Sequence, residues 1–405
     1  MQPLEYGIKS QAYRKNNIPP TLLTSLLFIF IIGFIPQLLG LLSLTTTNIL
    51  ILFILSIFII RRQPLNGRAQ SLTIYFFAVS SYMLISGIIN GTSLTSILVY
   101  IYYLLATYIA IKSAELSITK GYITQYKIVK ILPTFLFAQV LVCTLQNIFS
   151  TQISQFSKTP IIPLDIASGT FHLASDASLG FFCLISIIFA FATDQSKKLK
   201  YLVLLLASAV VLLTNSKASH LMLIIILTSL ISFEISSKIR SHKTIITAVA
   251  PIILVAIALF SFENFYWAQD LVHGTLIEAY DKRFAGTEAH RLAPIGEMLY
   301  GQYPFFGHGL LSYYNPIEKV WLYNSGSSLF YTIFIDCGLL ATLLIYSFFL
   351  YIVIRGEIGL FFGSLYFFAF FSYSFFNFGL TDIAAIFTFS AYLNIHRKKL
   401  RNKNA

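Results

Sequence analysis

A chain of 405 residues in which 57% are hydrophobic, 16% aromatic and only 11% charged cannot be a soluble domain, and its mean hydropathy of +0.76 is that of an integral membrane protein. Apolar runs of about 15–25 residues recur along it, near the length a helix needs to cross the hydrocarbon core, without the two-residue alternation of a membrane β-barrel. The net charge of +12 is read as a topology signal facing lipid headgroups and not as a surface for nucleic acid.

In chain order the spans are predicted at about 21–40, 45–60, 70–88, 94–112, 129–149, 177–193, 200–214, 219–235, 244–262, 327–354, 358–374 and 379–395. This makes an all-α polytopic protein, one membrane domain over residues 1–405, with about twelve transmembrane helices. The first span starts only after some twenty residues and is long enough to cross, so no cleavable signal peptide is expected. Cys143, Cys183 and Cys337 all fall in predicted helices, too far apart to frame a metal site or disulfides, and are expected to be packing residues.

Lys and Arg concentrate in short cytoplasmic loops, and placing both termini inside puts 22 of the 28 Lys and Arg there. The exceptions are Lys158, Lys217, Lys282, Arg283, Arg291 and Lys319. Two outward connections then stand out by length, about 150–176 and about 263–326. The second is rich in Tyr, Phe and Trp. Its aromatics have two readings: an interfacial belt, which Trp267 and Trp321 near helix ends would suit, or a platform for the apolar faces of sugars.

Three segments carry candidate chemistry. After the seventh span comes Thr214-Asn215-Ser216-Lys217-Ala218. Lys217 there is either a snorkelling helix-end cation or, with the Ser216 hydroxyl, a contact for an anionic lipid headgroup. The large loop holds Asp281 to Arg291, where Lys282, Arg283, Glu288, His290 and Arg291 lie within eleven residues. Arg291 can fork onto a diphosphate, although a salt bridge to Glu288 or Glu297 fits the spacing equally. Pro304-Phe305-Phe306-Gly307-His308-Gly309 follows, where Gly307 and Gly309 permit tight turns and close backbone approach around His308.

Taken together these segments resemble the O-antigen polymerase and ligase family of membrane glycosyltransferases. The shared features are the Thr-x-Ser turn, with Lys217 where the family commonly has Arg, an Arg about a dozen residues before Pro-x-x-Gly-x-Gly, and the small polar entry Asn324-Ser325-Gly326-Ser327 leading to Gly338. The resemblance spans about residues 200–350. Ligases usually carry a His at the entry segment, where this chain has Tyr323-Asn324-Ser325, so the match leans to a polymerase.

The resemblance implies a GT-C-like membrane fold, located in the bacterial inner membrane with its active site facing the periplasm. The activity implied is transfer of glycan from an undecaprenyl diphosphate carrier to a sugar hydroxyl on a second carrier-linked repeat unit. Arg291, Lys217 and Arg283, with Ser216, would hold the diphosphate. Glu288, His290 or His308 would serve as base. Chemistry without a metal or other cofactor is expected, because no Asp-x-Asp is present and the histidines lack ligand spacing. The partners implied are membrane lipids, the carrier-linked glycans, and a chain-length regulator and flippase of the same pathway. A ligase acting on lipid A core is the nearest alternative. A lipid-linked oligosaccharide flippase is the other, but transporters place ionisable groups and broken helices near the bilayer midplane, and this sequence is expected to lack basic residues in helix centres.

Overall fold

The structure, a computed structural model, describes residues 33–41, 43–62, 70–157, 166–172, 175–214, 216–238, 305–312, 314–315, 320–321 and 328–404. Among them the chain is almost wholly helical. The elements are α1 (Phe34–Leu38), α2 (Leu44–Arg62), α3 (Gln70–Ile89), α4 (Leu94–Thr119), α5 (Gln125–Ile148), α6 (Ser150–Phe156), α7 (Asp176–Ala192), α8 (Lys197–Leu213) and α9 (Lys217–Lys238), then a two-residue antiparallel pair, β1 (Tyr314–Asn315) with β2 (Val320–Trp321). There follow α10 (Leu329–Arg355), α11 (Leu360–Phe376), a 3₁₀ turn (Gly379–Thr381) and α12 (Ile383–Asn404).

Ten of the twelve predicted spans have their helix: α2 to α5, α7 to α9 and α10 to α12. Of the span at 21–40 only residues 33–40, which include α1, are described, and the one at 244–262 lies outside the described residues. Among the described residues four helices are long and apolar enough to cross a membrane: α3 (from Ser71), α4, α5 and α10. α2, α7, α9 and α11 carry shorter apolar segments. Among the described residues the molecule is thus an almost entirely helical protein of membrane type. Its lipid-facing side is apolar as well, with Phe137, Leu141, Leu145 and Ile148 all exposed along one stripe of α5, as hydrocarbon solvent permits.

Side-chain capping sets several helix starts. Ser93, Ser196 and Ser328 accept the amides of Ser96, Leu199 and Tyr331 at the starts of α4, α8 and α10. Asp382 accepts the Ala385 amide at 3.0 Å to start α12. Such caps satisfy amides that a helix N-terminus otherwise leaves bare. In the interior, aromatic pairs join the helices: Phe349 stacks on Phe370 at 3.9 Å, Phe189 on Tyr392 at 4.2 Å and Phe181 on Tyr373 at 4.6 Å. Cys143, Cys183 and Cys337 are buried, unbridged packing residues.

Hydrogen bonds show which helix ends lie together. At one end Asn147 donates to the Leu213 carbonyl, the Leu329 amide to Asn377, and the Leu310 amide to Thr92. This loop end holds the described parts of the two long connections. At the opposite, basic end Arg355 meets Glu115 at 3.0 Å and Lys398 donates to the Ile118 carbonyl.

One expectation fails at the basic end. α4 does not stop at residue 112 but continues to Thr119, and Lys112 within it is only 1% exposed. Basic residues are therefore not confined to helix ends. Lys112 is tolerated because Glu115, one turn on, bonds it at 3.0 Å and also receives Arg355, as a buried cation requires a partner.

Candidate functional site

The glycine segment is where the loop end is most tightly built. α10 is interrupted at Gly338, whose φ of 83° and ψ of 177° are non-helical. A break frees carbonyls that hydrocarbon cannot satisfy. Residues 305–312 fill that need: the amides of His308 and Gly309 donate to the carbonyls of Ile335 and Asp336 at 2.9 and 3.0 Å. Gly307 (φ 70°) and Gly309 (φ 102°) both have positive φ, and a Cβ on Gly307 would sit 2.5 Å from the Asp336 carbonyl. The glycines expected on grounds of close approach are thus required by it.

Asp336 is the polar centre of this joint. It is 1% exposed, and its carboxylate accepts the Leu311 amide at 2.9 Å, the Ser312 amide at 3.2 Å, the Ser312 hydroxyl at 2.8 Å and the Tyr100 hydroxyl. From α3, Ser86 and Asn90 donate to the Phe306 carbonyl. Three membrane helices, α3, α4 and α10, therefore hold one short loop segment. The His308 side chain is exposed, while its backbone belongs to the joint.

The second predicted segment has a different setting. Ser216 is buried, and its hydroxyl receives the Ser219 amide and the Ser219 hydroxyl, the latter at 2.9 Å, in the first turn of α9. Ser219 in turn lies so near Gly180 of α7 that a Cβ there would collide with it. His220 places Nε2 at 2.8 and 2.9 Å from the carbonyls of Val211 and Thr214, closing the end of α8. Lys217 is the first residue of α9. Arg283, Glu288, His290 and Arg291 lie outside the described residues.

A cavity of about 240 Å³ opens at the same loop end, between α2, α7, the 171–178 region, α11 and the start of α12. Its polar lining includes Asn48, His172, Ser178, Tyr373, Asn377 and Asp382. Asp382 is fixed from two sides, by the Tyr373 hydroxyl at 2.5 Å and by the Ala385 amide, and Tyr373 also meets Ser178 at 3.1 Å. His172 is 8% exposed, and its Nδ1 is buried without a hydrogen-bond partner. Burial holds the imidazole below its ordinary pKa, opposed by the Asp382 carboxylate and the backbone of Gly33. The cavity connects to the glycine joint through Phe378, whose ring lies 4.7 Å from Tyr103, itself 5.7 Å from Tyr100.

Asp382 opens α12 and His172 lies in the 150–176 connection, and neither belongs to a motif in the sequence. Nothing in their spacing joins them, because Asn48, His172 with Ser178, and Asp382 come from three distant stretches.

No protein-family model matches this chain, and no curated protein matches its sequence.

Proposed function

We propose that this protein is a membrane glycosyltransferase that polymerises undecaprenyl-diphosphate-linked repeat units into an O-antigen or capsule-type polysaccharide at the periplasmic face of a bacterial inner membrane. The observation that supports the reading is the polar cavity at the loop end, which a glycan projecting from a lipid carrier would enter while its tail stayed in the bilayer. The family resemblance of residues 200–350 supplies the donor chemistry. Arg291, Lys217 and Arg283 would stabilise the diphosphate as it leaves, and loss of one such preorganised group typically costs about 10²–10³ in rate.

A flippase for the same lipid-linked glycan is the second reading. It is favoured by a buried carboxylate, Asp336, beside a helix break at Gly338, the kind of feature that marks transport pathways. The joint with residues 305–312 gives that carboxylate a structural role instead.

The test is the surface-polysaccharide gel profile of the host lacking this protein, compared with one carrying Arg291→Ala. Core bearing a single repeat unit in both is the expected result. Bare core with finished polymer on the carrier would indicate a ligase, and repeat units trapped on the cytoplasmic face a flippase. An unchanged ladder in both strains would end the assignment.

A further inference from the structure

The cavity's size and lining narrow what it can hold. At about 240 Å³ it falls below the roughly 300–1,000 Å³ of sites for drug-sized ligands, yet far exceeds the roughly 10–15 Å³ one water needs. That suits a single sugar residue. Its wall is amphipathic as a sugar is: Phe171 and Phe378 offer apolar faces, and Asn48, Ser178 and Asn377 offer amide and hydroxyl groups.

Charge separates the two halves of a glycan donor and acceptor. Among the described residues the cavity lining contains no Lys or Arg, and it does contain Asp382. Against these described walls a diphosphate would meet a fixed carboxylate, whereas an uncharged sugar would find hydrogen-bond partners. The cavity therefore fits the molecule that attacks and not the group that leaves.

It also holds a group suited to the attack. His172 lines it with a buried, unpartnered Nδ1, and such an unmet atom ordinarily costs stability unless a ligand or water engages it. Asp382, held by Tyr373 and the Ala385 amide, supplies the nearby negative charge that would stabilise an imidazolium.

We propose that this cavity is the acceptor site, holding the terminal sugar whose hydroxyl attacks the donor, with His172 as the base. The proposal rests on the transferase reading above. In the step, the acceptor hydroxyl oxygen bonds to the anomeric carbon of a lipid-diphosphate-linked donor. The anomeric C–O bond to the diphosphate breaks, and its electron pair leaves with the lipid diphosphate. The hydroxyl proton passes to Nδ1 of His172, and Asp382 acts as a positioning residue for the resulting imidazolium.

The test uses the full-length protein in nanodiscs carrying Ser175→Cys, at a cavity-lining serine whose side chain caps nothing. Labelling by a water-soluble maleimide is followed with and without free oligosaccharide released from the host's own surface polysaccharide, and with inorganic diphosphate. Saturating oligosaccharide is expected to slow labelling at least fivefold, and diphosphate to leave it unchanged. In a parallel assay with carrier-linked repeat unit, His172→Gln is expected to keep that protection while transfer falls about 10²-fold or more. Equal protection by diphosphate, no protection by oligosaccharide, a cysteine the reagent never reaches, or full transfer by His172→Gln would each overturn the proposal. If the Ser175→Cys protein is protected by oligosaccharide but wild-type protein transfers nothing, sugar binding stands and the transferase reading fails. If wild-type protein transfers while Ser175→Cys shows no protection, the cavity assignment fails alone.

Discussion

Gly338 and Gly307 face each other across a contact that leaves no room for a methyl group. A Cβ on Gly338 would collide with the Phe305 carbonyl, and both residues have positive φ. Gly307→Ala or Gly338→Ala is therefore expected to destabilise by at least about 1–3 kcal/mol from backbone strain alone, read as a lowered Tm of the detergent-solubilised protein. Tyr100→Phe removes one donor of the four to Asp336 and is expected to cost about 1–3 kcal/mol. Asp336→Asn should cost more, because its amide group would turn a donor toward donors. At His172 the folded state favours the neutral ring, so its contribution is complete above the ordinary value of about 6.5 and is lost as pH falls below it. The surrounding charges are Asp382 and, through Tyr373, Asp176. Wild-type Tm is thus expected to drop as pH falls below the ordinary imidazole value of about 6.5, and His172→Gln to flatten that drop. An equal slope in the variant would remove His172 as its cause.

At the scale of elements, α4 does the most joining. Tyr100 bonds Asp336 at its loop end, Thr107 donates to the Leu380 carbonyl in its middle, and Glu115 gathers Lys112 and Arg355, with Arg397 at 3.9 Å, at its basic end. Glu115→Gln is expected to destabilise by about 3–5 kcal/mol, the usual cost of stranding a buried charge. Adding Lys112→Met should recover part of it, and a double variant no more stable than Glu115→Gln alone would contradict the pairing. This cluster also shows why the sequence located α4 but misjudged its end. A Lys after eighteen apolar-rich residues reads as a boundary, and only the tertiary approach of Arg355 and Glu115 reveals that the helix continues. The same limit applies at α6, which forms inside a stretch read as loop, since a short polar helix has no apolar run to announce it.

For the whole molecule, hydropathy sufficed to place ten helices because a membrane solvent leaves backbone amides few other partners. The glycine motif was legible for the right physical reason, close approach, although what it approaches is a broken helix of the same chain. The cavity was illegible because its lining is assembled from residues hundreds of positions apart. Charge asymmetry makes one further expectation at this scale. A green fluorescent protein fused after residue 405 should fluoresce and an alkaline phosphatase fused there should be inactive, as for a cytoplasmic C-terminus. The reverse pattern would invert every side assignment made from the loops.

The docking of residues 305–312 also sets a timetable for biosynthesis. Ser86, Asn90, Thr92 and Tyr100 leave the ribosome more than two hundred residues before the segment and the Asp336 carboxylate that pair with them. At about 5–20 residues per second, these groups wait on the order of 10–50 s with their native partners not yet made. During that interval α3 and α4 sit in the translocon or the bilayer as incomplete goods, dependent on lipid headgroups, water or an insertion chaperone. A nascent chain that terminates before Asp336 lacks the carboxylate and cannot close the joint, however apolar its helices are.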